Sequence, residues 1–183
     1  MTAREVIASH LPEMEQIADP DMKEKAYAAW ELVMTEGGWS PEDLDRVPFT
    51  LLIDPCPATL MKHTAAVTRT ALAICDTLST EYGHLYKLDR QLVLVGALLH
   101  DVGKLLEYKK TGDKFVKSDN GKLLRHPFSG AAVATRVGLP DAVVHIIATH
   151  AHEGDGGYRT PESVVVHHSD FANFEPLRDL AKG

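Results

Sequence analysis

A chain of 183 residues, 44% apolar and 25% charged, is long enough for one domain with a full core. No run reaches the ~20 apolar residues of a membrane span, and the polar start Met1-Thr2-Ala3-Arg4-Glu5 is unlike a signal peptide. A net charge of −7 argues against coating long nucleic acid, and two cysteines, Cys56 and Cys75, make no disulfide framework, which points to a reducing cytoplasm.

In chain order, a first helix is predicted from Thr2 to about His10. A second opens near Pro20 and stops at Gly37-Gly38. Ser40-Pro41-Glu42-Asp43 reads as a cap and short helix, and Pro48 to Pro57 as an extended connection. Leu60, His63, Val67, Ala71, Ile74 and Leu78 form one helical stripe. Asp89 caps the next helix, predicted to run from Arg90 to about Tyr108 and to be buried, since it is apolar nearly all round. Residues 109–125 are polar, with Lys114–Lys117 and Lys122–Leu124 as candidate partners in a hairpin. Helices follow from Pro127 to Val137, from Pro140 to about His152, and from Thr160 to about Phe174. The expectation is an all-α bundle of seven to nine helices with at most a small hairpin.

Charge and histidine are unevenly spread. Residues 1–58 carry four Lys/Arg against twelve Asp/Glu, whereas 108–125 carry five Lys and one Arg against two Asp. Seven of the ten histidines lie between His100 and His168. His100-Asp101 falls inside the buried helix, where an ionised carboxylate among leucines is costly unless paired or bound to a cation. His63 and His150 sit on apolar stripes, His126 at a helix start, and Asp170 in the last helix. Any one of these is ordinary as a satisfied core residue. Four histidines and two aspartates converging from five segments suit a borderline transition metal such as iron, manganese, cobalt, nickel or zinc.

The ordered set His63, His100-Asp101, Asp170 resembles the H…HD…D pattern of the HD-domain metal-dependent phosphohydrolases over roughly residues 58 to 175. His100-Asp101-Val102-Gly103-Lys104 matches the HDxGK form, and His126 and His150 match the extra histidines of dinuclear members. The resemblance implies an all-helical HD bundle over 58–183, with 1–57 as a helical extension packed on it. It implies one metal on His63, His100, Asp101 and Asp170, and a second, bridged by Asp101, on His126 and His150. The HD domain of bacterial 3′-to-5′ exoribonucleases is the nearest form, through Asn120–His126 and His150–Gly154. Those enzymes also carry an amino-terminal oligonucleotide-binding barrel, where this chain has acidic helices.

The residue types suit hydrolysis of a phosphate ester by a metal-activated hydroxide. Asp101 is the candidate for orienting the metals or acting as base. Lys104 and Arg125 are candidates for holding phosphate oxygens. His150 is favoured over His152 as ligand because it lies on the apolar face, which leaves His152 as a substrate contact or a support of the site. Glu107 either pairs with Lys104 or meets the substrate, and the basic segment 109–125 is expected to be a lid that attracts an anion. The expected substrate is a nucleotide, short oligonucleotide or other small phosphorylated metabolite. Two other readings use the same residues: a di-iron oxygenase acting on an organophosphonate or polyol, and a silent domain that binds a nucleotide or partner.

Overall fold

A computed structural model describes residues 1–181. It contains helices α1 (Ala3–His10), α2 (Pro20–Gly37), α3 (Leu60–Tyr82), α4 (Arg90–Leu99), α5 (Lys104–Glu107), α6 (Asp119–Leu123), α7 (His126–Arg136), α8 (Asp141–Thr149) and α9 (Pro161–Leu180). A two-stranded antiparallel hairpin, β1 (Tyr108–Thr111) and β2 (Lys114–Lys117), follows α5. Local chemistry starts most of the long helices. Thr2 and Glu5 exchange a reciprocal pair of bonds ahead of α1. Asp19, Thr59, Asp89 and Thr160 each accept backbone N–H groups at the heads of α2, α3, α4 and α9.

The central element is α4, in which every residue from Val93 to Leu99 is buried. It packs against α2, α3, α8 and α9. Gly96 permits the crossing with α8, because a β-carbon there would lie 2.6 Å from Ile146 Cγ2. Val6, Ile7 and Trp30 of the amino-terminal helices share one apolar core with Leu94, Leu98 and Ile147. Among the described residues no helix is long and apolar enough to cross a membrane.

Three expectations need correction. The buried helix does not run on to Tyr108: it ends at Leu99, and through the next turn Val102 N–H bonds to Leu99 O and Lys104 N–H to Asp101 O. These tighter i to i−3 bonds break the α-helical ladder at the buried His-Asp pair. The hairpin pairs Tyr108–Thr111, not Lys122–Leu124, with Lys114–Lys117. Gly112, at φ 59°, makes the tight turn, while Ser118 accepts the Gly121 N–H and turns Asn120-Gly121 into part of α6. Finally, α9 continues through Pro176 to Leu180, six residues past the expected Phe174. Proline there gives up one backbone bond and crowds the carbonyl four residues back, yet the helix continues, and Arg178 lies over the Phe174 ring at 5.5 Å.

Candidate metal centre

Five elements deliver six donors to one place. His63 comes from the first turn of α3, His100 and Asp101 from the turn after α4, His126 from the start of α7, His150 from the end of α8 and Asp170 from α9. His63 Nε2 lies 3.0 Å from Asp170 Oδ1 and 3.6 Å from Asp101 Oδ2. His100 Nε2 lies 3.4 Å from Asp101 Oδ2 and 3.9 Å from Asp170 Oδ1. Across Asp101, its Oδ1 lies 3.2 Å from His126 Nε2 and 3.7 Å from His150 Nε2. Two buried trios result, His63–His100–Asp101 and Asp101–His126–His150, with Asp101 in both.

The hydrogen bonds on the far sides of the rings fix which nitrogens face inward. His100 Nδ1 lies 2.7 Å from Ala97 O, and His150 Nδ1 2.7 Å from Ile147 O. A carbonyl only accepts, so both Nδ1 atoms carry the proton and donate it. His126 Nδ1 likewise donates to Glu107 Oε2 at 2.9 Å, and burial pushes the His126 pKa down to about 4, so the ring is neutral at pH 7. His126 Nε2 and His150 Nε2 face each other at 3.2 Å, both turned toward Asp101 Oδ1. His100 Nε2 and Asp101 Oδ1 are buried without a hydrogen-bond partner. Buried polar atoms that converge without a hydrogen-bond partner of their own suit a bound ion. Imidazole and carboxylate together fit a divalent transition metal.

The carboxylates are held ready. Burial opposes ionisation of Asp101, but the charges of Lys104 and His100 beside it outweigh that and keep its pKa well below the usual range. Lys104 Nζ donates to Asp101 Oδ2 at 2.7 Å and to Phe49 O at 2.5 Å. Burial likewise opposes charge on Glu107, yet its bonds to His126 and the Arg125 charge bring its pKa to about 2. Glu107 does not pair with Lys104. Its Oε2 accepts from both His126 Nδ1 and the His126 backbone N–H, and its Oε1 from Arg125 at 2.6 Å. The cause is competition: Asp101 and Phe49 claim the lysine, while the chain entry into α7 brings His126 to Glu107.

A cavity of about 300 Å³ opens over the cluster. Lys104, Arg125 and His152 all line it, as do Lys117 and Asp170. His152 is largely exposed and bonds Asp155 at 2.9 Å, away from the buried trios, where His150 points instead. His167 Nδ1 donates to His150 O at 2.6 Å and so braces that ligand segment. Most of the basic segment is already paired: Lys109 and Lys122 with Asp119, and Lys110 with Asp43. Only Lys117 and Arg125 of that segment line the cavity. Phe49, stacked on His63 with ring centroids 4.4 Å apart, and Phe171 were not legible as site residues. Phe49 lies in a proline-rich connection and Phe171 differs from a core aromatic only in what surrounds it.

Gly103 has a steric role in this centre. A β-carbon there would collide with the His126 carbonyl and lie 2.6 Å from the Gly130 nitrogen. Gly103→Ala is therefore expected to push α7 away, to cost about 1–3 kcal/mol, and to weaken metal retention through displaced His126. Denaturant unfolding and metal analysis of the purified variant check both effects.

A helical bundle whose central helix ends in a His-Asp pair, ringed by further histidines and an aspartate from neighbouring helices, is the architecture of a metal-binding HD protein. The chain belongs to the HD domain family, whose model matches residues 60–171. It is 31% identical over 125 residues to a dihydroneopterin 2′,3′-cyclic phosphate phosphodiesterase of Methanocaldococcus jannaschii, covering 67% of this chain and 48% of that protein. It is 37% identical over 83 residues to ribonuclease Y of Acidothermus cellulolyticus, covering 45% of this chain and 14% of that protein. The matches thus span half or less of each relative's length. No solved structure gives a significant match.

Proposed function

We propose that the chain is a metal-dependent phosphohydrolase that cleaves a phosphate ester or diester of a small metabolite. The observation that carries this reading is the pair of buried trios, His63–His100–Asp101 and Asp101–His126–His150, that meet at the shared Asp101. His63, His100, Asp101 and Asp170 would hold one divalent ion, and Asp101, His126 and His150 a second, with iron or manganese as the first candidates. Such ions, when bound, lower the pKa of coordinated water and neutralise phosphate oxygens.

The chain's own residues supply the rest. Lys104 keeps Asp101 ionised and fixes its orientation through the 2.7 Å bond. Arg125, half-exposed at the cavity, presents to a phosphate the part of its guanidinium that Glu107 and Glu153 do not take. His152 lies where a ring nitrogen meets the outer part of a substrate. The cyclic phosphate diester named for the archaeal relative has the chemistry this site would handle, and the short match to ribonuclease Y speaks for the metal domain more than for RNA. We read residues 1–57 as an extension packed on the HD domain of 58–183, and the two unpaired cysteines as belonging to the cytoplasm.

The test is elemental analysis of protein purified without chelators, followed by hydrolysis of bis(p-nitrophenyl) phosphate and 2′,3′-cyclic AMP by the metal-loaded protein. Two metal equivalents and turnover of at least one diester or its monoester product are expected. Protein that takes up no metal on reconstitution would sink the reading.

A further inference from the structure

The three cations that line the cavity all have carboxylate partners. Lys104 is bonded to Asp101, Arg125 to Glu107 and Glu153, and Lys117 lies 3.6 Å from Glu107. The cavity therefore offers no row of uncompensated positive charge of the kind that a polyphosphate or a nucleic-acid backbone needs. One phosphate at the metal cluster is the anionic load this site suits.

Away from the cluster the lining is largely apolar, with Phe49, Leu51, Leu52, Ala151, Phe171 and Phe174. Leu52 is 77% exposed, a large aliphatic side chain left in contact with water although it lines the cavity. Phe171 lines it too, and its ring is held in place by His152, edge-on at 4.8 Å, and by His167 at 4.6 Å. Held aromatic rings and exposed aliphatic chains beside a polar anchor are what a ligand's flat apolar part covers. A cavity of about 300 Å³ takes one ring system and one phosphate. Leu52 also lies outside residues 60–171, so this wall is built partly by sequence beyond the matched domain.

We propose that the cavity selects a phosphate ester or diester whose organic part carries a flat, uncharged ring, with Phe171 and Leu52 as the residues that determine this specificity. The inference rests on the phosphohydrolase reading above, whose site it deepens. Its test is calorimetric binding to the metal-loaded protein of two probes that share one phosphate, phenyl phosphate and glycerol 2-phosphate.

Phenyl phosphate is expected to bind at least about ten-fold tighter. Phe171→Ala and Leu52→Ala are each expected to cut that ratio by roughly five- to ten-fold, while Phe171→Tyr retains it. Leu52 is exposed, so its variant keeps the inference testable if Phe171→Ala fails to fold. Equal affinity for the two probes, or a ratio that neither alanine variant moves, overturns the inference even if diesters are hydrolysed. A ring preference that both variants abolish, in a protein that turns over no phosphoester, supports the ring site and overturns only the hydrolase reading.

Discussion

Replacing Asp101 with alanine is expected to strip the protein of bound metal and to lower the proposed phosphoester hydrolysis by about 10²–10³-fold or more. Asp101 is the one residue common to both donor trios, so its loss removes a ligand from each at once. It is also the carboxylate bonded to Lys104, which is buried. Removing one partner of a buried ion pair leaves an uncompensated charge and costs about 3–5 kcal/mol. Metal content by elemental analysis is the deciding measurement, with circular dichroism to establish that the variant folds. A folded Asp101→Ala protein that keeps full metal content would remove the assignment of Asp101. Asp101→Asn, which preserves volume, is expected to lose the metals as well, because the bridging charge is gone.

Glu107→Gln is the second variant with a large expected effect, and it is read out by metal affinity and by acid. Glu107 orients His126 through two bonds to the same residue, one to the ring and one to the backbone. Its loss is expected to weaken the ion held by His126 and His150 by about 10–100-fold while sparing the His63 trio. The pH dependence has a definite sign. The folded pKa is about 2 against an ordinary 4.5, so ionised Glu107 contributes stability that is complete above pH 4.5 and is lost as pH falls towards 2. The metal-free wild type should exceed the variant by on the order of 2–3 kcal/mol near neutral pH, and the gap should close across that window. Denaturant melts at pH 7, 4.5 and 2.5 measure it. A gap constant with pH would mean that Glu107 acts only as filler.

Much of this centre was legible because its chemistry is local in the chain. An aspartate inside an apolar helix is anomalous by itself, and histidines on apolar stripes announce where they point. Choosing His150 over His152 needed only helical periodicity, and the structure puts His150 in the buried cluster and His152 in solvent. The role of Glu107 was not legible. On a continuous helix it would face Lys104 across one turn, and nothing local says that Asp101 takes the lysine first. The break after Leu99 was equally hidden, since an apolar run carries no mark of where its hydrogen-bond ladder tightens. In residues 109–125, Asn120-Gly121 has the composition of a hairpin turn, yet Ser118 as a cap made it helical and Gly112 took the turn.

By itself the sequence determined the helical class, the starts of the long helices and the identity of the four buried histidines and of Asp101. Caps, periodicity and the cost of a buried charge act over one or two turns and need no knowledge of partners. Tertiary structure alone decided which ring nitrogens carry protons, which carboxylate each lysine meets and which walls close the cavity. Phe49 and Leu52 from the 48–57 connection and Phe171 from α9 lie far apart in the chain, and their meeting depends on how α3, α9 and that connection pack around α4. Such contacts are set by competition among distant groups for the same space and the same hydrogen bonds, which no local pattern records.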